Sequence, residues 1–221
     1  MSKRGFTLIE IIVVIGIVGI LLSIAGPPFM AMLRRSSIEE SAQRLQEAIK
    51  SAQVEAQKRG DMEFGNVTTD AGVTPGGMKR SVYLALYPLN SMIRVISWDD
   101  KNIDGLKTDN EFTVVQELFL GTGTTFSLPG AINKKACNNT AGAPAGSIVN
   151  FSASTCPPNT VSLFPDETRC IKFNGRGFSE SMLNDAAYIT GNNGETFAVT
   201  MSPVGLTTLC RWDGTSWLKL R

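Results

Sequence analysis

The hydrophobic pattern changes twice along the chain, and its first part is an almost unbroken apolar run. Phe6 to Ala25 are twenty residues with a single charge, Glu10. A helix of that length rises about 30 Å, which matches the hydrocarbon core of a bilayer. The run therefore predicts a membrane-spanning helix over residues 6–25. It leaves Glu10 in need of a partner, because an ionised side chain inside a bilayer costs roughly 2.5–3.5 kcal/mol.

The second part of the pattern has helical spacing and follows the sequence Gly26-Pro27-Pro28. Proline removes a backbone donor and clashes with the preceding turn, so we expect a kink or a melted turn at Pro27-Pro28. Apolar residues then recur every three or four positions, which predicts an amphipathic stem helix over residues 29–60 with Gly60 as its stop. The apolar positions are Ile38, Ala42, Leu45, Ile49, Ala52 and Ala56.

The third part, residues 61–221, consists of short apolar runs separated by turn residues, which is typical of β-strands. Ala136–Pro158 is predicted to be a long loop, and Gly191-Asn192-Asn193-Gly194 a tight hairpin turn. The predicted fold class is α+β, with a long N-terminal helix packed on a β-rich globular domain of antiparallel sheets. The predicted strands are Ser81–Tyr87, Met92–Trp98, Phe112–Leu120, Thr160–Phe164, Cys170–Phe173, Thr196–Met201 and Thr207–Trp212.

Composition and charge exclude several classes of function. Lys plus Arg number 21 and Asp plus Glu 20, so no overall basic field favours nucleic acid as a partner. Histidine is absent, which excludes Ser-His and Cys-His catalysis and histidine-based zinc sites. No two carboxylates can be assigned to a common cleft, so we expect that the protein is not an enzyme.

The charges around the apolar run and the cysteines bear on export. Lys3 and Arg4 favour a cytoplasmic N-terminus, although Arg34 and Arg35 weaken that bias. An ordinary signal peptide cut near Ala25 and a plain membrane anchor are alternatives, and both leave Glu10 unexplained.

Four cysteines follow the apolar run, and an even number in an exported domain predicts two disulfides. Three pairings are possible. We expect Cys137–Cys156 and Cys170–Cys210, because each of these pairs joins neighbouring segments.

The sequence Lys3-Arg4-Gly5-Phe6-Thr7-Leu8-Ile9-Glu10 resembles the leader and processing site of type IV prepilins. The resemblance implies that residues 1–5 are a leader, that a prepilin peptidase cuts after Gly5, and that Phe6 is then N-methylated. Glu10 lies about one helical turn from the new amine. The carboxylate of Glu10 is expected to pair with the amine of an adjacent subunit in a filament, and a pair within one chain is the alternative.

Three further stretches resemble the GspH/FimT-type minor pilins: "RLQEAIKSAQVEAQKRG" in the stem helix, then "CIKFNGRGFSE" and "FAVTMSPVGLTTLCRW". The implied function is a minor pilin that initiates or caps a type IV pilus. The alternatives are a minor pseudopilin of a type II secretion system, a DNA-uptake pilin and a tip adhesin. The implied partners are the prepilin peptidase, other pilins or pseudopilins contacted through the helix, and the inner membrane. The chain would cross that membrane once and expose its C-terminal domain to the periplasm or the outside.

Nucleic-acid binding has little support beyond that resemblance. Some relatives in this group bind DNA through arginines beside the C-terminal glycine turn. In this chain the turn at Pro203–Thr208 has no arginine until Arg211. Lys79-Arg80, Lys134-Lys135 and Arg176 would have to converge with Arg211 to form a basic patch.

The segment from Asp100 to Glu111, "DKNIDGLKTDNE", matches the calcium-loop pattern at every specified position. The candidate ligands are Asp100, Asn102, Asp104, the carbonyl of Leu106, and Glu111, with Gly105 at the sharp turn. The flanks are predicted to be strands rather than the helices of an EF-hand. A solvated hairpin loop without a metal, in which Asp, Asn and Gly form the turn, is therefore the favoured interpretation, so we expect no cofactor, and calcium is the alternative.

Overall fold

The computed structural model describes residues 7–60, 68–69, 72–73, 80–101, 106–130, 132–138, 156–157, 162–179, 185–202 and 205–220. The chain divides into two compact units, residues 1–36 and residues 37–221. A long helix runs through both units, and the second unit contains the β-strands. The predicted α+β class, with the helix packed on a β-rich domain of two antiparallel sheets, is confirmed.

Helix α1 extends from Leu8 to Arg59. The helical assignment continues through residues 26–28, so the helix does not melt at Pro27-Pro28, and the predicted kink there stays a prediction. Each proline removes only its own N–H donor, and the helix continues when the turns on both sides keep their bonds. The predicted stop is confirmed, because Gly60 adopts a φ of 68° and its N–H donates to the Ala56 carbonyl at 3.0 Å.

The strands form two larger antiparallel sheets and one small ribbon. The four-stranded sheet has the order β5-β4-β3-β7, and the five-stranded sheet the order β11-β10-β9-β8-β6. The strands are β1 Thr68–Thr69, β2 Gly72–Val73, β3 Arg80–Tyr87, β4 Met92–Asp99, β5 Phe112–Phe119, β6 Thr124–Phe126, β7 Arg169–Phe173, β8 Asp185–Gly191, β9 Thr196–Met201, β10 Thr207–Trp212 and β11 Trp217–Lys219.

Six of the seven predicted strands are present, namely β3, β4, β5, β7, β9 and β10. The prediction for Thr160–Phe164 is wrong for residues 162–164, which form a turn and a bend, while residues 160 and 161 lie outside the described residues. Phe164 is buried without being in a strand, because its ring packs against that of Phe112, with the ring centroids 5.4 Å apart. It is 1% exposed. The prediction missed β1 and β2, which have two residues each, β6 and β11, which have three each, and β8, whose Ala186 and Ala187 have low β-propensity. The hairpin turn predicted at residues 191–194 is confirmed by the Gly194 N–H, which donates to the Gly191 carbonyl.

The main core lies where the second half of α1 packs against the inner faces of both sheets. All six residues of the predicted stripe are at most 2% exposed, and Ala48 joins them. Inner-face residues of the four-stranded sheet, such as Leu84 and Ile171, belong to the same cluster as Val199 and Leu209 of the five-stranded sheet. The alanines of the stripe bring the helix backbone close to both sheets, because a methyl group is the only side chain between them.

The outer face of each sheet carries a smaller apolar cluster, and each cluster contains one disulfide. Cys170 lies on the outer face of the four-stranded sheet and bonds to Cys156, while Cys210 lies on the outer face of the five-stranded sheet and bonds to Cys137. Both predicted pairs are therefore wrong, although all four cysteines form disulfides as expected. The physical reason is that Cys170 and Cys210 belong to different sheets and point away from the shared core, so they cannot reach each other.

Polar side chains on the flank of the stripe attach α1 to two glycine turns of the second unit. Gln53 Nε2 donates to the Gly205 carbonyl at 2.8 Å, and Gln57 Nε2 donates to the Arg176 carbonyl at 3.2 Å. Gly205 and Gly177 have φ values of 83° and 77°, in the left-handed region. A Cβ at either position would also collide with the neighbouring glutamine. These turns therefore require glycine for two reasons, the positive φ and the lack of space for a side chain.

We predict that Gly205→Ala destabilises the protein more than Gly194→Ala does. The two glycines have nearly the same φ, 83° and 82°, but only Gly205 faces a side chain, that of Gln53. Gly194→Ala should cost about 1–2 kcal/mol for the left-handed conformation. Gly205→Ala should cost about 1 kcal/mol more, because the bond from Gln53 is disturbed.

The measurement is urea unfolding followed by tryptophan fluorescence, with both variants compared with the unsubstituted chain. Equal losses at the two positions would contradict the packing of Gln53 against this turn.

Candidate functional site

The first turn of α1 is capped by a side chain. The Glu10 N–H donates to the Thr7 carbonyl at 3.1 Å and lies 3.3 Å from Thr7 Oγ1. Thr7 therefore occupies the N-cap position and Glu10 the third helical position, as in the T-x-x-E capping pattern. Sequence reasoning missed Thr7, although that spacing is visible in the sequence. A carboxylate at this position is also stabilised by the positive end of the helix dipole.

Glu10 is exposed in the single chain. Gly5 and Phe6, the predicted cleavage and methylation positions, lie outside the described residues. The expected pairing of Glu10 with a neighbouring subunit's N-terminal amine therefore stays a prediction. The exposure of Glu10 is what such an intermolecular pair requires, because a carboxylate already enclosed by its own chain would have to break contacts first.

The apolar residues after Glu10 are exposed around the whole circumference of the helix. The described large apolar side chains between Leu8 and Leu33 have exposed fractions from 46% to 78%. A helix that is apolar on every side needs apolar surroundings, from other helices or from lipid. This part of α1 is thus an extended, exposed apolar surface.

Among the residues that the structure describes, no helix combines the length and the apolarity needed to cross a membrane. The span predicted over residues 6–25 includes residues outside the described set and stays a prediction.

The candidate calcium loop joins β4 to β5, so its flanks are strands, as expected. Asp100 and Glu111 are 1% and 2% exposed, whereas Leu106 is 64% exposed. The solvated hairpin therefore needs a correction, because both of its ends are buried. Asn102 and Asp104 lie outside the described residues.

The Glu111 carboxylate accepts hydrogen bonds from other residues of the chain. Its Oε2 accepts from the Trp98 indole at 3.2 Å and from the Thr108 N–H at 3.3 Å, which completes a capping box. Its Oε1 has no hydrogen-bond donor among the described residues. The Lys107 ammonium lies 5.4 Å from the centre of the ring of Trp98, the residue whose indole N–H binds Glu111.

No group of three or more His, Cys, Asp and Glu side chains within the described ranges is arranged to hold a metal ion. Because Asn102 and Asp104 lie outside those ranges, the hairpin without a metal and calcium binding both stay predictions that have to be measured.

The basic residues named in the sequence lie on different elements. Arg80, on β3, pairs with Asp99 at 3.3 Å, and Arg211 is on β10 of the other sheet. Arg176 follows β7 in the turn that Gln57 contacts. Lys79 lies outside the described residues.

We predict that the melting temperature of the chain is the same in excess calcium chloride and in EDTA. Glu111→Gln should lower the free energy of unfolding by about 1–3 kcal/mol in both solutions, because it weakens two hydrogen bonds of a buried carboxylate.

The measurement is thermal unfolding of both chains in the two solutions. A calcium-dependent rise in the original chain that Glu111→Gln removes would show that the loop binds the ion.

A comparison with family models identifies the N-terminal segment. The model described as the prokaryotic N-terminal methylation motif matches residues 1–26. No curated protein and no solved structure matches the chain. The motif implies processing by a prepilin peptidase, assembly with other pilins and anchoring in the inner membrane through the N-terminal region. The chain therefore carries the N-terminal signal of type IV prepilin-like proteins.

Proposed function

We propose that this chain is a minor pilin that initiates or caps assembly of a type IV pilus. The observation behind the proposal is the methylation motif at residues 1–26, joined without a break to an apolar helix whose side chains are exposed in the single chain. Such a helix is stored in the bilayer first and then covered by neighbouring helices in a filament.

Glu10 has a defined part in this assembly. An exposed carboxylate inside an apolar helix surface is costly in lipid unless an opposite charge neutralises it. The amine created by cleavage before Phe6 is such a charge, and Glu10 follows it in the sequence by about one helical turn. Pairing between subunits removes the cost only when two helices are in the correct register, so the pair selects that register.

The second half of α1 has a different task. Its stripe is buried against both sheets, and Gln53 and Gln57 attach it to two turns. The globular domain is thus held by the same helix whose first half enters the filament. We propose a structural role without catalysis, in line with the absence of histidine.

The minor-pilin assignment rests on the resemblance of the stem and the two glycine turns to the GspH/FimT group. A pseudopilin of a type II secretion system uses the same kind of N-terminal signal and is the main alternative. DNA uptake has less support, since Arg80 is paired with Asp99 and Arg211 lies on a different sheet.

We predict that a Gly5→Val substitution leaves the leader attached. The peptidase has to reach the bond after residue 5, and a branched side chain there obstructs the approach. Mass spectrometry of the membrane-extracted chain should show the full-length precursor.

Gly16→Ala is the matched control, because a Cβ at Gly16 meets no atom within 4 Å. That variant should be cut and methylated normally. A Gly5→Val chain that begins at Phe6 would refute the proposed cleavage site.

We predict that deletion of this chain removes surface pili and that a Glu10→Gln copy does not restore them. Glutamine keeps the size of the side chain and removes the charge that pairs with the amine. Pili are sheared from cells and quantified, and the amount of the variant in the membrane is measured in parallel.

Glu47→Gln is the control, since Glu47 is an exposed glutamate on the same helix. This copy should restore pili in full. Normal piliation in the deletion strain would contradict the proposal, and a block in protein secretion there would favour the pseudopilin.

A further inference from the structure

An open groove lies at one end of the five-stranded sheet, on the unit formed by residues 37–221. Its walls are the β8–β9 turn, the β10–β11 turn and the segment around Pro129 and Ile132. Its volume is about 550 Å³, within the range of roughly 300–1,000 Å³ that is common for small-molecule sites. The groove involves none of the residues assigned to filament assembly.

The apolar wall of the groove is the indole of Trp212, which is partly exposed and firmly backed. The rings of Trp212 and Trp217 are 5.3 Å apart, and Trp217 Nε1 donates to the Lys134 carbonyl at 3.1 Å. The disulfide between Cys137 and Cys210 links β10, the strand that carries Trp212, to the segment that contains Cys137. An aromatic ring held in this way loses little freedom when a ligand covers it.

The polar wall contains a hydrogen-bond donor, Arg211, and a hydrogen-bond acceptor, Glu195. Arg211 lines the groove, and its Nε is buried without a hydrogen-bond acceptor among the described residues. Arg211 as a whole is partly exposed, so its guanidinium group can donate to a ligand oxygen in the groove. Glu195 is fixed by Asn193, which donates from Nδ2 to Glu195 Oε2 at 3.1 Å and accepts from the Glu195 N–H.

Asp213 is engaged by its own turn rather than by the groove. Its carboxylate accepts hydrogen bonds from the Thr215 and Ser216 N–H groups at 2.8 and 2.7 Å, and also from their hydroxyls. These bonds lower the pKa of Asp213 below its usual value. The carboxylate thus stays ionised and keeps the turn beside Trp212 in one shape.

The charges lining the groove argue against a strongly anionic or cationic ligand. One cation, Arg211, stands beside two carboxylates, Glu195 and Asp213. A ligand that suits this wall must accept from Arg211, donate to Glu195 and present an apolar face to an indole. Sugar rings meet all three requirements, since their hydroxyls both donate and accept while one face consists of C–H groups.

We propose that this groove binds a neutral saccharide, with the sugar ring on Trp212 and its hydroxyls on Arg211 and Glu195. This inference goes beyond filament assembly, and it is tested on the purified chain without any pilus.

The test is a titration of the full chain with cellotriose, maltotriose and N-acetylchitotriose, read by saturation-transfer difference NMR. This readout follows the sugar protons and therefore also works in variants that lack Trp212. The detergent has to be lauryldimethylamine oxide, because maltoside detergents are themselves sugars. We expect saturable binding of at least one of the three trioses.

Trp212→Ala and Arg211→Gln should each lower the affinity at least about tenfold, which corresponds to about 1.4 kcal/mol. Phe119→Ala is the control, because Phe119 is a 53% exposed aromatic side chain on the other sheet, outside the groove. It should leave the affinity unchanged. If the alanine variant at Trp212 does not fold, as judged by circular dichroism, Arg211→Gln alone decides.

Two results would overturn the proposal: no saturable binding of any of the three trioses, or binding that neither groove variant weakens. If the chain binds a peptide from another pilin but none of the three trioses, the proposal is likewise overturned.

Discussion

The burial of one narrow stripe of α1 between two sheets is the constraint on which the rest of the globular unit depends. The stripe packs its alanines, Leu45 and Ile49 against the inner faces of both sheets, so that a single core serves three layers. Neither sheet has another partner for its inner face in the described structure. The glutamines that flank the stripe then attach it to the turns at Gly177 and Gly205, where only glycine fits. The helix that is proposed to enter a filament is therefore also the element that organises the domain.

The outer faces of the sheets complete this arrangement. Each has its own small apolar cluster, and each cluster includes one disulfide that ties a covering segment to a strand. The bond between Cys137 and Cys210 lies next to Arg211 and Trp212 in the chain and so holds one wall of the groove. Crosslinks on the outside, with a helix on the inside, give the sheets two independent means of support. Rigid walls of this kind are suited to a binding surface at the end of a sheet.

Much of the fold could be predicted from local patterns. The stripe from Ile38 to Ala56 and the stop at Gly60 follow from helical spacing and from glycine's freedom to adopt a positive φ. Most strands follow from their β-branched and aromatic residues. The exceptions have physical reasons: β8 contains two alanines and becomes a strand because its neighbours surround it, whereas Phe164 is buried by ring packing without being in a strand. The continuation of α1 through Pro27-Pro28 likewise depends on the helical turns on both sides, and the helix propensity of the prolines alone does not include that contribution.

The sequence by itself determined the N-terminal signal, the apolar helix with Glu10, the stem stripe and the presence of two disulfides. These features depend on residue types at fixed spacings along the chain, so they are legible without a fold. The tertiary structure alone decided which cysteines pair, since Cys170 and Cys210 belong to different sheets. It also decided that Asp100 and Glu111 are buried and that Arg211, Trp212 and Glu195 line one groove. Those outcomes depend on contacts between segments far apart in the chain, and the packing of both sheets on one helix brings these segments together.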